Sequence, residues 1–299
     1  MAHLFKVTRN LSIDCQKIYL SIGNLRVLQK TLFPFYKNYV RYQKTKYFLF
    51  GIWCGQHTSE DNAKTIIKAD ANKPKAVIYT CITGKYDGLI EHACVNENYD
   101  YVCFTDNSDW LKQGKIHHWQ IRPLVFDKSD KTRNARWHKT HPHILFPEYE
   151  YSVWMDGNVD VITTALFDNI ELLKSEGASF AVCQHPLRSC IYDESCEVLR
   201  LKKETQEETN KIISFLQQQK FPHFAGLHET SCLFRRHNDP QCQNIMNEWW
   251  ELIEKYSKRD QLSLDYVLWK NKFMAAVLFS PQEWRNFEMI CPVYSHKAV

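Results

Sequence analysis

In YSVWMDGNVDVI, residues 151 to 162, a run of strand-forming apolar residues is broken by a polar turn that carries Asp156, Asn158 and Asp160 at every second position. A carboxylate withdrawn from water is costly unless it is compensated, so such a turn either faces solvent or holds a cation. On a straight strand alternate Cα atoms lie ~6.6 Å apart, too wide for the side chains to meet on one small ion. Gly157 permits a bend that brings Asp156 and Asn158 together, with Asp160 left to shape the turn. Two oxygen ligands, completed by water and a ligand's phosphates, are the usual way a protein holds Mg²⁺, and Mn²⁺ accepts the same oxygens. The plainer alternative is a hairpin turn with no ligand, since Asp-Gly and Gly-Asn both favour one.

Other segments offer complementary chemistry. KTRNARWHK places Arg133, Arg136 and Lys139 at three-residue spacing, which on a helix fans them across one face able to hold a diphosphate; a solvated basic face is the commoner outcome. His138, His141 and His143 resemble a metal cluster, although Pro142 interrupts the helix that would align them. SKRDQLSLDYVLW puts Asp260 and Gln261 in the first turn of a helix, where Asp260 could cap, orient a hydroxyl or act as a base. HPLRSCIYDE gathers His185, Arg188, Asp193 and Glu194 after a strand, and GLHET opens a strand with Glu229. GxSxG, GxxxxGK[ST], HExxH and GxGxxG do not occur, which removes support from serine-hydrolase, P-loop and common dinucleotide readings.

These residues need elements to hold them. KAVIYTCITG and YDYVCFTDN are β-rich runs ended by Gly84 and by Asp106 with Asn107. HHWQIR, YSVWM, SFAVCQH and TSCLFRR continue as strands, and they alternate with helices predicted over 130–145 (broken near Pro142), 165–176, 194–219 and 244–257. This alternation predicts an α/β fold with a mostly parallel, mixed sheet. Ligands of open α/β sheets bind beyond the carboxyl ends of the strands. TGKYD, TDN and DGNVD all fall there.

Composition sets the outer bounds. With 299 residues and 44% hydrophobic content the chain can bury a sizeable core. Eleven cysteines without a CxxC pair, and the lack of a secretory signal, point to a reducing cytoplasm rather than a disulfide framework. Residues 1 to 46 hold nine Lys or Arg against Asp14 alone, spaced among apolar residues as in amphipathic helices. That arm either packs on the main domain or lies on an anionic membrane surface. Residues 56–75 read as a linker, so the division expected is a basic helical extension with linker over 1–70 and a main domain over 71–299. The remainder of the chain is slightly acidic and carries no nucleic-acid module, which argues against nucleic-acid binding.

In this order, TCITGKYD, KTRNARWHKTHPHILFP, YSVWMDGNVDV, HPLRSCIYDE, GLHETSCLFRRHN and WWELIEKYSKRDQLSLDYV resemble the TOD1/MUCI70-type glycosyltransferase-like domain of bacteria and plants, across roughly residues 74 to 285. The resemblance implies a GT-A-like nucleotide-diphospho-sugar fold in a glycosyltransferase of surface-glycan assembly. It further implies a nucleotide-sugar donor, a glycan or lipid-linked acceptor, and Mn²⁺ or Mg²⁺ on Asp156 and Asn158. Asn158 stands where the usual DxD pattern has a second acid, so the site carries one charge fewer. Thr80, Thr83, Tyr86 and Asp106 would hold the nucleoside, while Arg133, Arg136, Lys139, His185, Arg188 and Gln261 would face the donor. Asp260, Glu229 and Asp193 would be the carboxylates at the acceptor. Two rivals follow from the residues: a metal-dependent hydrolase using His138 to His143 with Asp156, and a non-catalytic sugar-binding protein on a transferase fold.

Overall fold

Ala76–Ile82 is a strand of seven buried residues, and its alternate side chains divide between two cores. Val77, Tyr79 and Cys81 enter one core, while Ala76, Ile78 and Ile82 enter the other. A strand covered on both faces must be apolar throughout, and this one forms the middle of an α/β sandwich. The computed structural model describes residues 64–72, 75–280 and His296. The amphipathic helices expected over residues 1–46 lie outside the described residues.

In chain order the elements are β1 (Thr65–Ile67), β2 (Ala76–Ile82), β3 (Cys94–Asn96), β4 (Tyr99–Thr105), α1 (Ser108–Gln113), β5 (Lys115–Ile116), β6 (Trp119–Pro123), α2 (Lys131–Thr140), α3 (Pro142–Leu145), β7 (Ser152–Met155), α4 (Ala165–Ser175), β8 (Phe180–Gln184), α5 (Ile191–Arg200), α6 (Gln206–Gln218), β9 (His228–Arg235), α7 (Pro240–Lys255), α8 (Leu264–Lys270) and β10 (Ala276–Val277). A 3-10 turn at Asp260–Leu262 precedes α8. Eight strands form one sheet in the order β10-β8-β9-β7-β2-β4-β6-β5. β7, β2, β4 and β6 run parallel, as do β10 and β8, whereas β9 is antiparallel to both its neighbours and β5 to β6. The expected α/β class with a mostly parallel, mixed sheet is what the chain forms.

This topology sets out one working edge. The carboxyl ends of β7, β2 and β4 point the same way, and antiparallel β9 brings its amino end, His228 to Ser231, to the same edge. Asp156, just past β7, donates its N–H to Ser231 O at 2.8 Å and closes that corner.

Two local features depart from expectation. The segment read as linker contains β1, whose Thr-Ile-Ile pairs in parallel with β3, so residues 64 to 72 pack with the domain. The single helix expected over 194–219 is two helices, α5 and α6, with a turn at 201–205 between them. Lys202 takes a left-handed φ of 53° there, and the Thr205 hydroxyl caps α6 by accepting from Glu208 N–H at 3.1 Å.

Candidate active site

Trp154 and Asp156 are two residues apart at the end of β7 and therefore share a face of the sheet. Trp154 Nε1–H donates to Asp156 Oδ1 at 2.7 Å, so an indole buried in the core aims one carboxylate oxygen. Two basic side chains of α2 approach the same oxygen, Lys139 Nζ at 3.5 Å and Arg136 Nη1 at 3.9 Å. Both also reach Asp260: Lys139 Nζ stands 2.5 Å from its Oδ2 and Arg136 Nε 3.3 Å from its Oδ1, while Thr230 donates to Oδ2 at 2.8 Å. Two acids and two bases thus cancel in a buried quartet. Burial alone would raise the Asp260 pKa, but Arg136 and Lys139 outweigh it and hold the carboxyl well below the ordinary range.

Above the quartet opens a cavity of about 800 Å³. Thr83, Gly84 and Tyr86 from the loop after β2, and Lys131, Thr132 and Arg136 from α2, form one side. Asp156, Gly157 and Asn158 lie in its middle. The opposite side comes from Glu229, Thr230 and Ser231 of β9, Lys202 and Lys203 of the α5–α6 turn, and Lys258 to Gln261. The volume suits a ligand larger than a monosaccharide.

The Asp156 turn is closed by Val159 N–H donating to Asp156 O at 3.0 Å. Gly157 is needed there for space rather than for an unusual dihedral: a Cβ would stand 2.8 Å from Ile82 Cγ1 and 2.9 Å from Cδ1. With Asp156 Oδ1 held by Trp154, Oδ2 is left for the cavity that Asn158 also lines. Hard oxygens of these two residues fit Mg²⁺ or Mn²⁺ as a partial shell, which a phosphate ligand would complete. Among the described residues no group of three His, Cys, Asp or Glu side chains is gathered to hold a metal alone. Asp160 turns away, its Oδ1 accepting from Val161 N–H at 2.7 Å and lying 3.0 Å from His92 Nδ1.

Thr83, Tyr86, Arg136, Asp156, Gly157, Asn158, Glu229, Asp260 and Gln261 all line the cavity. Tyr86 is 60% exposed, which presents a ring at the rim. The other candidates need correction. Arg133 points away from the cavity, bound to Asp130 at 2.7 Å, Glu208 at 3.2 Å and Ile253 O, because α7 packs on that side of α2. Lys139 lies beneath the floor, fully buried. Thr80 is buried within β2. Asp106 braces the loop after β2, accepting from Gly84 N–H at 3.0 Å and pairing with Lys131 at 3.1 Å. His185 and Arg188 belong to a neighbouring cluster, where Arg188 pairs with buried Glu194. Asp193, one residue earlier on α5, faces solvent and is not at the cavity. Asp260 neither caps the 3-10 turn nor suits proton abstraction, since both its oxygens are held by cations and its pKa is depressed.

The histidine cluster does not gather for metal. His138 accepts from Val125 N–H at 3.0 Å through Nε2 and contacts Asn134 O through Nδ1, and His141 Nδ1 contacts Trp137 O at 2.8 Å. Both nitrogens of His138 and Nδ1 of His141 serve the backbone, and among the described residues no three such side chains gather, which withdraws the observation that favoured a hydrolase. Lys131, Lys202, Lys203, Lys258, Arg259, Thr230 and Ser231 line the cavity without having been singled out from their types. The capping pair Thr205 and Glu208 was the signal that would have exposed Lys202 and Lys203 as turn residues.

The TOD1/MUCI70 glycosyltransferase-like domain model matches residues 43–292. The chain is 24% identical over 172 residues to the probable hexosyltransferase MUCI70 of Arabidopsis thaliana; the match covers 53% of this chain and spans 29% of MUCI70. Among solved structures it is similar to the WbbM bifunctional glycosyltransferase, with a TM-score of 0.41, 13% identity, and coverage of 74% of this chain and 41% of that one. It is also similar to the glycosyltransferase GlyE of Streptococcus pneumoniae TIGR4, with a TM-score of 0.40, 14% identity, and coverage of 72% and 47%. With the family model matched across most of its length, the chain belongs to the TOD1/MUCI70 glycosyltransferase-like domain family.

Proposed function

We propose that the protein is a glycosyltransferase that moves a sugar from a nucleotide-diphosphate donor to a glycan or lipid-linked acceptor. The observation that carries this reading is the Asp156–Asn158 turn, seated at the carboxyl edge of the sheet beside Arg136 and opening into a cavity of about 800 Å³. Tyr86 offers a ring for the nucleobase, and Lys131 and Arg136, each already paired with carboxylates, line the cavity as hydrogen-bond donors for the two phosphates. A divalent cation held by Asp156 and Asn158 would add charge stabilisation at the leaving diphosphate.

The chain's own residues divide the remaining work. Trp154, Lys139 and Arg136 fix Asp156, so its carboxylate is oriented before any ligand arrives. The bond from the anomeric carbon to the diphosphate oxygen breaks as the bond to the acceptor oxygen forms. Glu229 takes up or directs the acceptor's hydroxyl proton; its Oε1 is oriented by Ser231 Oγ–H at 3.1 Å. Asp260 acts as the counter-ion that keeps Lys139 and Arg136 in place.

The cellular setting we infer is surface-polysaccharide assembly at the cytoplasmic face of a membrane, with the basic residues 1–46 on the anionic surface. Among the described residues no helix is long and apolar enough to cross a membrane. Thermal-shift titration with UDP, GDP, CMP and dTDP sugars, with and without Mn²⁺, tests the function. A donor-dependent stabilisation lost in Asp156→Ala, with that variant still folded, is the expected result. Unchanged donor binding and turnover in the variant would refute the site.

A further inference from the structure

The wall of the cavity formed by the α5–α6 turn and the 257–261 segment holds two cations, Lys203 and Arg259, with no carboxylate paired directly to either among the described residues. Arg259 is half-buried, its guanidinium makes no hydrogen bond or ion pair with a described residue, and its Nε is buried without a partner. Lys203 lines the same wall and likewise has no ion pair among the described residues. Loss of hydration and then the nearby Arg259 lower the Lys203 pKa, so the two cations are close enough to oppose each other. Glu194 is paired with Arg188, and Asp260 with Arg136 and Lys139; Glu194 and Glu229 offset the Lys203 charge, and Asp260 and Glu194 that of Arg259, only through longer-range attraction. Two neighbouring cations in a cleft wall without a directly paired carboxylate cost stability, and a ligand that brings an anion lowers that cost.

The position of this pair separates it from the donor's phosphates. Tyr86 and Lys131 stand over the β2 and β4 side of the sheet, with the Asp156 turn in the middle. Arg259 immediately precedes Asp260, which is bound to Thr230 of β9, and it lies toward the Glu194 cluster beside β8. We propose that Lys203 and Arg259 form an oxyanion subsite at the sugar end of the cavity, which takes a carboxylate or phosphate group borne on the donor sugar or on the acceptor glycan. The inference rests on the transferase reading for its sugar and adds to it that the substrate is acidic. Arg contributes a planar pair of donors to such a group and Lys a point charge.

Calorimetric titration of the full chain at low salt tests this with D-glucuronate, glucose 6-phosphate and D-glucose, each with and without a saturating nucleoside diphosphate. The two acidic sugars are expected to bind at least about tenfold more tightly than glucose, a preference the K203Q/R259Q double variant loses and R259K retains in part. Nucleoside diphosphate affinity in the double variant should stay within about twofold of the parent. Acid-sugar binding that persists with nucleotide bound assigns the anion to the acceptor. A preference seen only as UDP-glucuronate over UDP-glucose assigns it to the donor. Glucose bound as tightly as glucuronate both as free sugars and as UDP-sugars, or a double variant that loses nucleotide affinity as well, overturns the proposal. If no nucleotide binds the parent while glucuronate does, the transferase reading fails and the subsite stands.

Discussion

Lys139 lies fully buried, 3.5 Å from the carboxylate of Asp156, which lines the cavity. Its burial follows from a partner, Asp260, 121 residues away in sequence, which no local spacing reports. Removing it leaves Asp260 and Asp156 with one compensating cation instead of two. Lys139→Met is therefore expected to destabilise the fold by ~3–5 kcal/mol, read as a lower urea midpoint. A midpoint equal to that of the parent would show that the quartet is not coupled. Gly157 gives a second test. Gly157→Ala drives a methyl into Ile82 and should cost about 1–3 kcal/mol, and the loss in the double variant with Ile82→Ala should be smaller than the sum of the two single losses. Additive losses in the double variant would place the strain elsewhere.

At the level of elements, the apolar runs of β2, β4, β7 and β9 were readable because each is buried on both faces. The α5–α6 break was harder to read. LKKET has good helix formers, so periodicity carries a helix through it, and the interruption is set by a capping interaction of about 1 kcal/mol. Thr205→Ala should cost roughly that much. Amide exchange should then quicken in the first turn of α6 and in residues 201–205, leaving the β7 and β9 amides unchanged. Uniform exchange across the molecule would argue against a local role. On α2, the residue before Pro142 ends the helix, as expected from sequence, and Asp130, read as its first residue, caps its start instead. The direction in which Arg133 turned was decided by α7 and α6, through Ile253 O and Glu208.

Across the whole molecule, burial of histidine gives a pH dependence. His138, His141 and His237 each have a pKa pushed down to about 4, in every case chiefly by loss of hydration. An unfolded imidazole titrates near 6.5, so the unfolded chain binds more protons between those values. Their contribution is complete above about pH 6.5 and declines as pH falls toward 4, by at most ~1.4 kcal/mol per pH unit for each group. The urea midpoint should therefore be lower at pH 5 than at pH 7, and an equal or higher midpoint at pH 5 would refute it.

The strand and helix segments, the class of fold and the turn at Asp156 could be read from sequence because each depends on residues within four or five positions of one another, where backbone periodicity sets which side chains share a face. Tertiary structure alone decided that Lys139 and Arg136 meet Asp260, that Asp260 is a counter-ion rather than a base, that Arg133 and Asp193 lie off the cleft, and that Lys203 and Arg259 stand together in its wall. Those contacts join residues from dozens of positions to more than a hundred apart. They are set by the order of strands in the sheet and by which helix packs over which, and spacing along the chain carries no record of either.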